Sequence, residues 1–177
     1  MLQFNPKEIK AIELPLIVFA DNIGGLIPGI IKAHTKGNYS HVMIQHKVDK
    51  FASQDPDGYK EVSIGSYLSN DYRLKYVAVR LNALEKSMVL NQINKELKEG
   101  IFTRRYDFLG IIGQFLGGIF RPFKNINNPN VKFCSERVAD TFRSFLPIPE
   151  HLSPSELNNY FKTQERTVVY GRYNPED

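Results

Sequence analysis

The chain holds a single cysteine, Cys134, in the run Val131-Lys132-Phe133-Cys134-Ser135-Glu136-Arg137-Val138-Ala139. A short apolar stretch runs into it and a helix with an apolar face runs out of it, so the thiol falls in the first turn of a helix. Unpaired backbone N–H groups and the positive end of the helix dipole favour a thiolate at such a position. With a histidine in reach, the pattern is that of a nucleophile in a cysteine hydrolase or acyltransferase. Without one, Cys134 is a small buried side chain. Four histidines are available: His34, His41, His46 and His151. His41 ranks first as the base, because it opens a strand directly after the loop Asn38-Tyr39-Ser40, and strand ends rim clefts. His46 points to the opposite face of that strand, His34 lies in a polar loop, and His151 lies among prolines.

A base also needs a polar group that fixes its tautomer. Gln45 shares the His41 face but lies about 13 Å along the strand, which is too far. A hairpin turning near Asp49 brings the stretch from Ser53 to Asp55 opposite His41. Gln54 is the expected partner, its amide oxygen accepting the imidazole N–H, with Ser53 and Glu61 as alternatives. A slip of one residue in this hairpin turns the other face towards His41. The Cys134 backbone N–H is one candidate oxyanion donor, and Tyr39 and Tyr106 are candidates for a second.

The elements that must position these residues read as strands followed by helices. Leu14 to Phe19, Ser40 to Val48, Lys50 to Gln54, Tyr59 to Ile64 and Tyr76 to Leu81 read as extended, with alternation in Tyr76 to Leu81. Asp55-Pro56-Asp57-Gly58 is a turn. Leu26 to His34 is a short helix. A longer helix follows Asn82, with Glu85 completing a capping box, Leu84, Met88, Ile93 and Leu97 as its buried stripe, and Gly100 ending it. Tyr106 to Phe120 is a second apolar helix, and Lys124 to Asn130 a polar loop. The cysteine helix runs from Cys134 to Phe145, and Ser153-Pro154-Ser155-Glu156 caps a last short one. Thr167 to Gly171 adds an edge strand. The order implies an α+β domain with a mainly antiparallel sheet packed against the cysteine helix.

Composition narrows the possibilities. The 177 residues fit one domain, and 42% apolar content with nine Tyr and twelve Phe supports a packed core. The net charge of +4 is mild. Arg104, Arg105, Arg121, Lys124 and Lys132 form the densest basic group without an aromatic-basic repeat, so no nucleic-acid partner is expected. One cysteine excludes an internal disulfide and a multi-thiolate metal site, and no cofactor or metal is expected. The N-terminal residues do not read as a secretory signal and no stretch reads as a transmembrane helix, so the expected location is cytoplasmic.

The strand Leu16-Ile17-Val18-Phe19, the strand opening Ser40-His41-Val42, then Tyr106-Asp107-Phe108-Leu109-Gly110, Phe133-Cys134-Ser135-Glu136 and Ser153-Pro154-Ser155-Glu156-Leu157 follow one another in a telling order. Over roughly residues 12 to 160 the chain resembles the circularly permuted branch of the NlpC-type, papain-like superfamily. That branch also includes enzymes similar to lecithin:retinol acyltransferase, and its histidine strand precedes its cysteine helix. Residues 161–177 then form a tail or edge strand. The resemblance implies a permuted papain-like fold with a Cys-His-polar triad, Cys134 matching the nucleophile and His41 the base. Many members carry a glutamate or histidine on the strand after the base. Phe51-Ala52-Ser53-Gln54-Asp55 has neither, so Gln54 or Ser53 substitutes. The implied activity is a bacterial or phage thiol hydrolase that cleaves an amide or ester, with a peptide, a peptidoglycan fragment or a lipid acyl group as substrate. A cell-wall substrate requires release by lysis or delivery by a phage particle. The competing readings are a papain-like module that only binds, and a lipid acyltransferase using the same thioester.

Overall fold

The computed structural model describes residues 5–24, 29, 32–33, 37–55, 58–99 and 133–175. Within them the fold is α+β: six strands in one antiparallel sheet and three α-helices. The strands are β1 (Leu16–Asn22), β2 (His41–Lys47), β3 (Lys50–Asp55), β4 (Gly58–Ser63), β5 (Tyr72–Val79) and β6 (Thr167–Tyr173), and the helices are α1 (Ala83–Lys98), α2 (Cys134–Phe142) and α3 (Pro154–Thr163). The sheet order is β4-β3-β2-β1-β5-β6, so the first strand is central and the last forms an edge.

Leu16 to Ala20 are wholly buried, as a central strand covered on both faces must be. Alternation divides its side chains. Ile17 and Phe19 join Val42, Ile44, Ala52, Val77 and Val79 under the helices, where Val138, Ala139 and Phe142 of α2 and Leu157 and Phe161 of α3 fill the layer. Leu16, Val18 and Ala20 join Met43, Phe51, Leu74 and Tyr76 on the opposite face, closed by Ile9, Leu14 and Ile64. α2 therefore presses its apolar stripe onto the middle of the sheet, which fixes the depth and direction of its first turn.

The caps follow the sequence signals. Asn82 accepts from the Glu85 N–H at 2.9 Å, and Glu85 accepts from the Asn82 N–H at 2.9 Å. Ser153 and Glu156 form the same reciprocal box at α3, with Pro154 in the first turn. The expected stripe of α1 is corrected. Leu84 and Met88 are 70% and 49% exposed, whereas Val89 and Ile93 are fully buried, so the apolar seam is narrower and rotated about the helix axis. α2 leaves helical geometry after Phe142, and the residues up to Phe145 continue as a turn. β5 begins at Tyr72, four residues earlier than expected. The expected helices at Leu26 to His34 and Tyr106 to Phe120, the loop at Lys124 to Asn130, Gly100, and the basic group at Arg104, Arg105, Arg121, Lys124 and Lys132 lie wholly or mostly outside the described residues. Among the described residues, no helix is long and apolar enough to cross a membrane.

Candidate active site

Phe133 is the N-cap of α2, and its N–H is held at 3.0 Å by the Glu136 carboxylate, so Cys134 is the first helical residue. The other Glu136 oxygen lies 2.8 Å from Nδ1 of His151, which ties the loop after α2 back to the helix start. His151 is thus not idle on the surface; it braces the turn that presents the thiol, from a left-handed conformation at φ 57°. Cys134 is 3% exposed. Packing of Val138, Ala139 and Phe142 against the sheet seats this turn beside the start of β2.

His41 is the first residue of β2, and its side chain is 17% exposed. Its Nε2 lies 2.8 Å from Ser53 Oγ and 3.4 Å from Asp55 Oδ1. Ser53 Oγ in turn donates to Asp55 Oδ1 at 2.6 Å. An ionised carboxylate only accepts, so the single hydroxyl proton of Ser53 is spent on Asp55, and Ser53 accepts from His41. Nε2 therefore carries a proton, which leaves Nδ1 as the ring nitrogen for the hydrogen bond with Cys134.

The charges agree with this arrangement. Burial by itself depresses the His41 pKa. The charge of Cys134, a hydrogen bond donated to Asp55, a hydrogen bond donated to Cys134 and the charge of Asp55 outweigh it and raise the imidazole above its ordinary value. Burial likewise works against ionisation of Asp55. His41, through both hydrogen bond and charge, together with Ser53 and Lys60, brings that carboxyl down to about 2. Lys60 Nζ stands 3.4 Å from the second Asp55 oxygen. The Tyr67 ring lies parallel to the imidazole, centroids 6.4 Å apart, and its hydroxyl hydrogen-bonds Ser53.

The structure thus brings Cys134 and His41 together and corrects the residue beside the imidazole. That place was expected for Gln54; Ser53 and Asp55 hold it. The cause is a bulge. Lys47 pairs with Lys50, but Gln45 pairs with Phe51 and Ile44 with Ala52, so His46 is an extra residue on β2. An unbroken ladder from the Val48–Asp49 turn would set Gln54 on the face of His41. The one-residue shift turns Gln54, with Ala52, to the face beneath α2 and carries Ser53 and Asp55 to the imidazole. Glu61 is engaged elsewhere, 2.5 Å from Lys47 Nζ and 3.2 Å from His46 Nε2. Burial holds the His46 pKa below its ordinary value. Tyr39 packs against Phe19, centroids 5.4 Å apart; Tyr106 and His34 lie outside the described residues. Ser53 was an alternative expected for this place; Asp55 was legible as the end of the stretch opposite His41 and the first residue of a turn, and not as a partner of the imidazole. Tyr67 carried no signal, since a tyrosine in a short 3₁₀ turn reads as packing.

A scan against protein-family models matches none, and a search of the curated proteins finds no relative. Among solved structures, the chain is similar to the metalloprotein yiiX from Escherichia coli O157:H7, DUF1105. The TM-score is 0.53 at 11% identity, over 92% of this chain and 98% of that one. At that identity the likeness establishes a shared fold. Among the described residues, no group of three or more His, Cys, Asp and Glu side chains is disposed to hold a metal ion.

Proposed function

We propose that the protein is a thiol hydrolase of permuted papain-like architecture that cleaves an amide or ester through an acyl-enzyme on Cys134. The observation that carries this reading is a histidine coupled to the one cysteine through one ring nitrogen while the other is held by Ser53 and Asp55. The order of the chain, histidine strand before cysteine helix, fits the permuted branch that the sequence resembles.

In the proposed cycle the Cys134 thiolate attacks the carbonyl carbon, and the oxyanion lies against the Cys134 backbone N–H at the start of α2. The His41 imidazolium gives its Nδ1 proton to the leaving amine or alcohol as the C–N or C–O bond breaks, leaving a thioester. Water then attacks the thioester with His41 as base, and the carboxylic acid departs as the thiolate–imidazolium pair is restored. Asp55 keeps the ring in the required tautomer and stabilises its charge, with Ser53 as the relay between them. Peptide amides of the cell wall are the narrower substrate class implied by the family resemblance.

The test needs no knowledge of the natural substrate. Incubation with p-nitrophenyl acetate should release nitrophenolate with a burst, and intact-protein mass spectrometry should show one acetyl adduct that maps to Cys134. Cys134→Ala should lose both signals, and His41→Ala should slow acylation and deacylation together. Turnover that survives in Cys134→Ala, or an adduct on a different residue, would overturn the proposal.

A further inference from the structure

Lys75 is a second unusual residue that this chemistry does not use. It sits in β5 and is only 3% exposed, yet its side chain is a cation. Phe19 on β1, Lys75 on β5 and Arg172 on β6 stand directly across from one another, so the three side chains share the face that carries α3. Lys75 Nζ donates to Asn158 Oδ1 of α3 at 2.6 Å. Lys162 follows Asn158 by four residues and so lies one helical turn on, along the same side of α3. Burial, then the charges of Lys162 and Arg172, hold the Lys75 ammonium down to about 8. Among the described residues, none of the groups acting on it is an acid. An ammonium has three donors, and among the described residues its hydrogen-bond partner is a neutral amide. A buried cation flanked by two more cations is an arrangement that a bound anion completes.

We propose that Lys75, Arg172, Lys162 and Asn158 form a binding site for a phosphate group, with Lys75 at its base and the exposed Arg172 and Lys162 side chains as its rim. Three cations within electrostatic reach of one another favour a dianion over a carboxylate or chloride; Arg172 adds a planar fork suited to two phosphate oxygens, and Lys162, whose Nζ donates to Asn159 Oδ1 at 3.0 Å, must turn to join it. The site is separate from the Cys134–His41 pair but close to it. Its rung, Val42–Phe19–Lys75–Arg172, is the one next to the His41–Ala20 rung. Two strand spacings, about 10 Å, separate the backbone of Lys75 from that of Val42. A phosphate-bearing ligand anchored here would extend over the same end of the sheet as the thiol.

Isothermal titration of the full chain with inorganic phosphate, against sodium chloride and sodium acetate at matched ionic strength, tests this. Phosphate should bind saturably with one site, and chloride and acetate should not. The double variant Lys162→Ala/Arg172→Ala removes only exposed side chains and should weaken phosphate binding roughly ten-fold or more. Lys75→Met should abolish it; should that variant fail to fold, the double variant decides. Cys134→Ser should bind phosphate as the native protein does, so failure of the hydrolase reading leaves this result untouched. Absence of saturable phosphate binding, or binding unchanged in the double variant, overturns the site.

Discussion

Asp55→Asn is the sharpest perturbation of the proposed chemistry, because it removes one charge while keeping an oxygen that accepts a hydrogen bond. The magnitude follows from the carboxyl itself. Its pKa falls from 3.8 to about 2 against the opposing effect of burial, nearly two units, or on the order of 2 kcal/mol of preference for the ion. His41 is the largest favourable contributor, ahead of Ser53 and Lys60. Losing the charge of Asp55 should therefore cost on the order of 1 kcal/mol, up to roughly ten-fold in the protonation equilibrium of the imidazole. The assay is alkylation of the one cysteine by iodoacetamide, followed by mass spectrometry at a series of pH values between about 5 and 9. Native protein should label faster than His41→Ala across that range, and Asp55→Asn should reduce the rate by up to roughly ten-fold. Gln54→Ala should stay within about twofold, because Gln54 faces the other side of β3. An Asp55→Asn profile that superimposes on the native one, or a Gln54→Ala profile that falls as far, would refute the reasoning.

Other outcomes follow from the same contacts. Asp55 has a depressed pKa, so its stabilising contribution is present above 3.8 and is lost as pH falls through about 2; the native advantage over Asp55→Asn in urea melts should shrink from about 2 kcal/mol towards zero between pH 6 and pH 2. A constant gap would show that the carboxylate is not held this way. Arg137 and Glu96 are 5% and 11% exposed in their side chains and stand 3.4 Å apart, so Arg137→Met should destabilise by about 3 kcal/mol in chemical denaturation and loosen the cysteine helix. Native-like stability would mean the pair is replaceable by apolar contact. Asn82→Ala removes a complete capping box and should cost about 1 kcal/mol, read from the thermal midpoint, while leaving thiol labelling unchanged.

Much of this fold was legible in the residues because local signals are written locally. Asn82 with Glu85 and Ser153 with Pro154 and Glu156 announce helix starts, since the side chains that satisfy the first N–H groups lie within four residues of them. Alternate faces marked β2, an unbroken apolar run marked the central strand, and Phe133-Cys134-Ser135-Glu136 marked a thiol in a first turn. The errors arose where a one-residue choice is made by distant packing. Leu84 and Met88 have the right type for a buried stripe, but Val89 is buried in their place beside the expected Ile93, and nothing local fixes the rotation of α1 about its axis.

The sequence alone determined that one thiol would sit at a helix start, that His41 would open a strand, and that the stretch from Ser53 to Asp55 would come opposite it. Only the tertiary structure decided which of those residues meets the imidazole. The decision rests on His46, an extra residue bulged out of β2, which shifts the ladder by one. Strand faces alternate with a period of two, so a single inserted residue exchanges Gln54 for Ser53 and Asp55. The same long-range pairing, across β1, β5 and β6, sets Lys75 beside Arg172, residues 97 positions apart that no local pattern connects.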